Sequence, residues 1–303
     1  MRSFLLAAAL AFASTGLPVQ AQETNTLVLQ PSGPWNLDYG DTRCRLAGAF
    51  GEGEHATAFW IEQTGPSSGF SWVLAGGAVE KLGPNRGIEV RFGTNFDPIE
   101  VNLPERPGER RDGDRTKLTL DGFGKAIMGF GYRQAVPPPE GSPPIGESVT
   151  GLDPKDGALI DHVEFVRDDR RVRLATGPLG EAFEAMNECT RNLYASWGVT
   201  FEEIALAATG AKPLNMADVA KRIRQTYPAK AFRRGEQATV GLKLLIAADG
   251  TVQRCIRFEV TKAKNFGNEP CEIMVKHARF EPARDATGKP VRGFYQTTVS
   301  YWM

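Results

Sequence analysis

The last quarter of the chain constrains the fold most, because helical and strand-like segments follow one another there in an order that few folds accommodate. Asn215 precedes an amphipathic segment whose inward residues include Ala217, Ala220 and Ile223, and Pro228 stops that segment. The pattern predicts a helix that is capped by Asn215 and opens a C-terminal domain over residues 215–303.

A hairpin and a second helix are predicted next. One strand alternates through Val240, Leu242, Leu244 and Ile246. Asp249-Gly250 supplies a turn that favours positive φ, and Val252 to Val260 returns as the partner strand. The following segment places a helical stripe against one face of the sheet. This stripe consists of Cys271, Met274, Val275 and Ala278.

The end of the chain alternates in the way that is typical of a strand with one buried face. The alternating residues are Val291, Gly293, Tyr295, Thr297, Val299 and Tyr301, which we expect to form one uninterrupted last strand. The resulting α-β-β-α-β order predicts an antiparallel sheet with a helical layer.

Four short motifs within this region are similar to those of a known family. They are Tyr227-Pro228-Ala229-Lys230-Ala231, Asp249-Gly250-Thr251-Val252, Arg279-Phe280-Glu281-Pro282 and Gly288-Lys289-Pro290-Val291. At these spacings, residues 216–302 resemble the C-terminal domain of TonB energy transducers, and the sheet also resembles that of TolA C-terminal domains. The resemblance does not extend to the N-terminal part of the chain.

The resemblance implies a binding mode for the last strand. TonB-like domains capture a short extended segment of an outer-membrane transporter beside their last strand, which here is Val291 to Tyr301. An open sheet edge offers unpaired N–H and C=O groups to such a segment. The alternative is a strand that is only part of the core and is covered or paired at its edge.

The chain departs from TonB transducers at its N-terminus. Those proteins have an uncleaved transmembrane helix with a Ser/His pair and then a long Pro-rich spacer. Here the N-terminal apolar run contains Ser14, but the first histidine is His55, and a β-rich domain replaces the spacer. We therefore expect a periplasmic protein rather than an anchored transducer.

The N-terminus has the three parts of a secretory signal. Arg2 precedes an apolar run from Phe4 to Leu17, and Val19-Gln20-Ala21 is a small-x-small site. We predict a signal peptide over residues 1–21 and export to the periplasm. An uncleaved membrane anchor is the alternative, although the run is shorter than the about 20 apolar residues that cross a bilayer.

The four cysteines favour two disulfides in an exported chain, although four buried thiols and all three pairings stay open. Cys255 and Cys271 lie in the same small domain, so a local bridge between them is favoured. Cys44 and Cys189 would then join the start of the N-terminal domain to its last helix. No cysteine or histidine spacing indicates a metal site.

Residues 22–200 predict a mainly-β domain. Short β-branched runs separated by Gly, Pro, Asn and Asp occur throughout it; they include Ala58 to Ile61, Ile88 to Phe92, Lys117 to Leu120 and Val163 to Val166. A helix over residues 179–197, with Gly198 as its C-terminal cap, is expected to close the domain. Phe201 to Ala208 is predicted to be a short helix within a linker over residues 201–214. The predicted fold class is therefore α+β.

Composition and motifs disfavour two further classes of function. Lys and Arg total 36, as do Asp and Glu, so the net charge gives no reason to expect binding of nucleic acid. Asp161-His162 is the strongest catalytic pattern, but it lacks a nucleophile motif, and no cofactor loop is present. We expect no catalytic residues, no cofactor and no metal.

Three functions remain as hypotheses. The first is a periplasmic protein that binds an envelope partner, such as an outer-membrane transporter, by strand addition. The second is an anchored TonB energy transducer, in which case the protein would also contact the membrane. The third is an enzyme with its site in the N-terminal domain.

Overall fold

A computed structural model describes residues 25–83, 87–102, 118–120, 124–132, 151–259 and 264–302. Within these ranges the protein combines helices with several mostly antiparallel sheets, which confirms the predicted α+β class. The predicted signal peptide, over residues 1–21, lies outside the described residues.

The N-terminal part contains eleven strands among the described residues. They are β1 (Asn25–Leu29), β2 (Asn36–Tyr39), β3 (Cys44–Phe50), β4 (Thr57–Gln63), β5 (Ser71–Gly76), β6 (Gly87–Phe92), β7 (Ile99–Asn102), β8 (Leu118–Leu120), β9 (Gly124–Phe130), β10 (Val163–Arg167) and β11 (Arg170–Leu174). They form a sheet in the order β1-β11-β10-β6-β7 and another in the order β2-β3-β4-β5-β9-β8. The helices of this part are α1 (Gly77–Leu82), α2 (Pro154–Ala158), α3 (Gly180–Ser196) and α4 (Phe201–Ala205).

The two sheets pack against each other through aromatic residues of their central strands. Phe59 of β4 and Trp72 of β5 meet Phe165 of β10 edge to face, with ring centroids 5.9 Å and 5.5 Å apart. Because side chains alternate along a strand, each central strand contributes one buried row to this shared core. The N-terminal part is thus a two-layer β-structure, as its short β-branched runs predict.

Helix α3 closes this core, in agreement with the helix predicted over residues 179–197. Phe183, Met186, Cys189 and Leu193 are buried on one side of it. Gly198 follows the helix at φ +77°, the left-handed conformation expected of a glycine C-terminal cap. The next helix, α4, ends at Ala205 and is shorter than the predicted segment to Ala208.

The C-terminal part is built on a three-stranded sheet. Its strands are β12 (Lys212–Pro213), β13 (Ala238–Ile246), β14 (Val252–Glu259), β15 (Phe280–Glu281), β16 (Ala283–Arg284), β17 (Pro290–Val291) and β18 (Gly293–Tyr301), and its helices are α5 (Met216–Arg224), α6 (Ala229–Arg233) and α7 (Glu269–His277). The sheet has the order β14-β13-β18 and is antiparallel. The remaining short strands form two small ribbons, β12 with β15 and β16 with β17. The sheet and its helices follow the predicted α-β-β-α-β order, with α6 and the two ribbons as additions.

The turn between β13 and β14 has the predicted chemistry. Gly250 has φ +82°, and a Cβ atom there would lie 2.0 Å from the carbonyl oxygen of Phe280. The carboxylate of Asp249 accepts hydrogen bonds from the backbone N–H and the hydroxyl of Thr251, and these bonds lower the pKa of Asp249. A glycine is therefore required at position 250 for both conformation and space.

Some side chains on α5 and α7 differ from their predicted placement. Ala217 is exposed, because α5 packs inward through Val219 and Ile223, which are one turn apart. Val275 is 43 % exposed, because the buried stripe of α7 runs through Pro270, Cys271 and Met274. Ala217 and Val275 were therefore predicted wrongly as inward residues.

Asn215 does not cap α5 with its side chain. Its Nδ2 donates to the carbonyl of His277 and its Oδ1 accepts from the N–H of Arg279, both at 2.9 Å. Asn215 thus joins the start of α5 to the end of α7, a contact between residues far apart in sequence that a local capping pattern cannot indicate.

Candidate functional site

Strand β18 lies at an edge of the C-terminal sheet. Within the described residues it pairs only with β13, in an unbroken register from Gly293 opposite Ile246 to Tyr301 opposite Ala238. Alternate backbone N–H and C=O groups of β18 therefore point away from the sheet. This is the arrangement that addition of another strand requires.

The alternating residues predicted for the last strand share the face that packs on the helices. Their cross-strand partners on β13, namely Val240, Leu242, Leu244 and Ile246, belong to the buried core of the C-terminal part. Gly293 and Tyr301 are buried, whereas Tyr295, Thr297 and Val299 are only partly covered. Burial raises the pKa of the Tyr301 hydroxyl. The strand is therefore buried on one face while its edge stays unpaired among the described residues.

Val291 does not belong to this strand, so the prediction of one uninterrupted strand from Val291 to Tyr301 is wrong. Val291 pairs with Ala283 in the separate ribbon of β16 and β17. Arg292 lies between β17 and β18 and separates them. Its guanidinium donates a hydrogen bond to the carbonyl of Gly198 at 3.0 Å and forms an ion pair with the carboxylate of Glu203 at 3.3 Å. The N-terminal part thus holds the chain at the point where the last strand begins.

The two edges of the sheet differ in charge. β14, at the other edge, contains Arg254, Arg257 and Glu259, whereas β18 has no charged residue. β14 is also linked to α7 by the disulfide between Cys255 and Cys271. Charged side chains protect an edge from pairing with further strands, so β18 is the edge that is better suited to accept one.

The opposite face of the sheet is partly covered by the N-terminal part through Lys243 of β13. This lysine is only 7 % exposed, and its Nζ donates to the carbonyl of Thr64 at 2.9 Å. The same Nζ lies 4.9 Å from the ring centroid of Tyr194, 5.5 Å from that of Trp197 and 5.0 Å from that of Phe294. A buried ammonium surrounded by aromatic faces gains cation–π stabilisation.

The aromatic surroundings of Lys243 combine residues from both parts of the chain. Tyr194 and Trp197 come from the end of α3, and Phe294 comes from β18, with the centroids of Tyr194 and Phe294 4.7 Å apart. Gly65 leaves room for this contact, because a Cβ atom there would lie 2.4 Å from Nζ of Lys243. Leu245 and the β14 residue Ile256 join the same N-terminal core. One hydrophobic core therefore continues from the β-structure into the C-terminal sheet.

Sequence analysis missed this contact between the two parts. Lys243 is the one charged residue of β13, a strand that is buried on both faces, and such a charge predicts a specific partner nearby. The partner residues Tyr194 and Trp197 lie at the end of the helix that is predicted to close the N-terminal domain. The lysine was thus a usable signal, but the sequence could not identify which aromatic residues it meets.

The disulfides join the pairs that sequence spacing favoured. Cys44 of β3 is bonded to Cys189 of α3, and Cys255 of β14 is bonded to Cys271 of α7. Cys44, Cys189 and Cys271 are buried. One bridge thus attaches the closing helix to the β-structure, and the other attaches a helix to the C-terminal sheet.

Asp161 and His162 form a local pair before β10. Nδ1 of His162 lies 2.6 Å from the carboxylate of Asp161, and this hydrogen bond lowers the pKa of Asp161. The Asp161 side chain is 69 % exposed. The two depressions noted among the described residues, of about 270 Å³ and 380 Å³, are lined by other residues.

The described ranges contain neither a membrane-spanning helix nor a cluster of metal-binding side chains. No helix there has the length and apolar character needed to cross a bilayer. The same ranges hold no group of three or more histidine, cysteine or acidic side chains that could bind a metal ion.

Comparison with known proteins identifies the C-terminal part only. Residues 223–303 match the family model described as Gram-negative bacterial TonB protein C-terminal, whereas the N-terminal region has no family match. No curated protein matches the chain. Domains of this family mediate protein interaction and energy transduction rather than catalysis, and they indicate a protein of the Gram-negative envelope. Residues 223–303 therefore resemble the C-terminal domain of Gram-negative TonB proteins.

Proposed function

We propose that this protein is a periplasmic envelope protein that binds a partner by adding an extended segment of that partner to the edge of β18. The edge of β18, which is uncharged and has no partner strand among the described residues, is the observation that carries this proposal. The backbone of the incoming strand would supply affinity, and pockets for alternate side chains would supply selectivity. The family match supports an outer-membrane transporter as the partner class.

The geometry suits a partner strand that places apolar side chains on the helical side of the sheet. Tyr295 and Val299 are partly covered on that side and border the open edge. On the other side, Gln296, Thr298 and Ser300 are exposed and polar. We therefore expect an alternating segment, with apolar residues toward Tyr295 and Val299 and polar residues toward Thr298.

A photoreactive residue can test the edge directly in cells. Benzoylphenylalanine at Thr298 is expected to form an adduct with an envelope protein, because position 298 is exposed on the open edge. The matched control is the same residue at Gln253, which is exposed on β14 at the opposite edge. Adducts are detected by mass spectrometry. Equal adducts at the two positions, or none at Thr298, would contradict the proposal.

Two proline variants separate docking from folding. Of two neighbouring strand residues, one directs its N–H toward β13 and the other toward the open edge. With the probe kept at position 298, we expect one of Gln296→Pro and Thr297→Pro to abolish the adduct with little change in the free energy of unfolding, measured by urea denaturation. The other should destabilise the sheet, because proline removes a ladder hydrogen bond. An adduct that survives both substitutions would exclude strand addition at β18.

The proposed location depends on cleavage after Ala21. We expect N-terminal sequencing of the protein from cells to begin at Gln22, because Val19-Gln20-Ala21 has the small-x-small pattern of a signal peptidase site. The protein should be recovered in the soluble fraction after a high-salt wash. An intact N-terminus in the salt-washed membrane fraction would instead favour an anchored transducer.

A further inference from the structure

The near-neutral net charge conceals two halves of opposite sign. Residues 215–303 contain 16 lysines and arginines against 8 acidic residues, whereas residues 22–214 contain 19 against 28. The C-terminal domain alone is therefore strongly basic. A domain with this charge attracts anionic surfaces over about a Debye length, roughly 8 Å at physiological ionic strength.

Part of the basic charge is concentrated where α5 meets the end of α7. This basic cluster consists of Lys221, Arg222, Lys276, His277 and Arg279. The side chain of Asn215 holds the two helices together there through its bonds to the backbone of His277 and Arg279, both at 2.9 Å. A depression of about 380 Å³ lies at this junction and is lined by Lys221, Arg222 and His277 among others.

The cations of the basic cluster are not neutralised by neighbouring carboxylates. Among the described residues, no acidic group lies within ion-pair distance of any of them. Asp218 lines the depression, and Glu272 lies one turn before Lys276. Desolvation lowers the pKa of His277, and repulsion by Arg222, Lys276 and Arg279 lowers it further. Lys221, Arg222, Lys276 and Arg279 therefore supply the positive charge of this surface, whereas the lowered pKa favours the neutral imidazole of His277.

Helix ends explain only part of this arrangement. Cations in the last turn of a helix interact favourably with its dipole, and Lys276 and Arg222 fulfil this condition. The dipole effect acts on each helix separately, so it does not explain why the cations of two helices lie around one depression. It also leaves unexplained why large apolar side chains are exposed beside the charges.

Exposed apolar residues flank the basic cluster. Leu214 is 68 % exposed, and its N–H donates to the carbonyl of Arg279 at 2.9 Å, which places it beside the cluster. Val275 is 43 % exposed and directly precedes Lys276 on α7. Apolar side chains beside lysine and arginine are typical of surfaces that rest on anionic membranes, where the cations meet phosphate groups and the apolar groups enter the interface.

We propose that the basic cluster, together with Leu214 and Val275, is a docking surface for the phosphate headgroups of an anionic membrane. Arginine and lysine both bind phosphate, arginine through paired N–H donors and lysine as a point charge. The surface is built from α5 and α7 and does not include β18. Contact with lipid therefore does not use the strand edge that is proposed to bind a protein partner.

Vesicle sedimentation tests this surface. The chain is used from Gln22 onward, because the apolar N-terminal run would itself partition into lipid. We expect binding to vesicles that contain phosphatidylglycerol, weakening at high salt, and no binding to vesicles of phosphatidylcholine alone. Since each basic residue near an anionic surface contributes about 1 kcal/mol, Lys221→Glu with Arg222→Glu should weaken vesicle binding by roughly thirtyfold or more.

The matched control reverses two exposed lysines elsewhere, by Lys155→Glu and Lys289→Glu, and has the same net charge. It should bind phosphatidylglycerol vesicles much more tightly than the Lys221 and Arg222 variant does. Equal loss in the two variants would mean a general charge effect and overturn the proposal. Binding to phosphatidylcholine as strong as to phosphatidylglycerol, or no vesicle binding at all, would overturn it too.

Two further experiments distinguish a membrane from a free anion as the ligand. A shift of the His277 imidazole signals in nuclear magnetic resonance with inorganic phosphate, without any vesicle binding, would mean a site for a free anion and not for a membrane. Replacing both Leu214 and Val275 with serine should weaken the vesicle binding that remains at high salt. Salt screens the charges of the basic cluster but leaves the apolar contacts. The proline variant of β18 that keeps its stability should leave vesicle binding unchanged, so failure here is distinguishable from failure of strand addition.

Discussion

Replacing both Cys44 and Cys189 with alanine is expected to lower the free energy of unfolding by about 5 kcal/mol, by the chain-entropy relation for the loop that the bridge closes. The two cysteines are 145 residues apart, so the bond restricts a large part of the unfolded chain. It also attaches α3 to β3, and both cysteines belong to the hydrophobic core that contains the aromatic residues of the two sheets. Alanine is the appropriate replacement, because serine would bury a hydroxyl group in this core.

The second disulfide provides the control. Cys255 and Cys271 are 16 residues apart, so replacing both with alanine is expected to cost only about 3 kcal/mol. Urea denaturation followed by tryptophan fluorescence would measure both variants. A cost for the Cys44 and Cys189 variant equal to or below that of the Cys255 and Cys271 variant would contradict this account.

The second large effect is expected for Trp197→Ala, at about 3–5 kcal/mol, the usual cost of truncating a buried aromatic residue. Trp197 is 6 % exposed, its indole N–H donates to the carbonyl of Asp41 at 3.2 Å, and its ring packs on Phe294. The substitution also removes one aromatic face from Lys243. We therefore expect faster hydrogen exchange in β13 and β18 as well as lower stability.

Trp302 offers a matched control for this experiment. It is 61 % exposed, so Trp302→Ala should change the free energy of unfolding by no more than about 0.5 kcal/mol. Trp197→Phe should recover part of the lost stability, since a phenyl ring can still pack on Phe294. If Trp197→Ala cost no more than Trp302→Ala, the contact between the two parts would not contribute to stability.

The C-terminal domain was largely predictable because its signals are local. Alternation from Val240 to Ile246, the Asp249-Gly250 turn and alternation from Gly293 to Tyr301 each depend on residues close in sequence. Errors arose where contacts distant in sequence decide the structure. Asn215 bonds to the end of α7 instead of capping α5. The chain breaks at Arg292 because that side chain binds Gly198 and Glu203.

The β18 edge could be inferred only in part. Alternation showed which residues of the strand share a face, but not whether the strand lies at the edge or in the middle of the sheet. That depends on the pairing of β13 with both β14 and β18. The charge difference between β14 and β18 is visible in the sequence. It can be interpreted as protection of one edge only once both strands are known to lie at the edges of the sheet.

The parallel pairing of β1 with β11 has a consequence for the order in which the protein matures. Asn25 pairs with Arg170, so the first described strand gains its neighbour only after more than half of the chain has been synthesised. Folding that depends on such distant pairs is slow. β1 therefore stays without its partner strand until β11 is made, and we expect chaperones that hold unfolded chains to matter more for this protein than for a module that folds from adjacent hairpins alone.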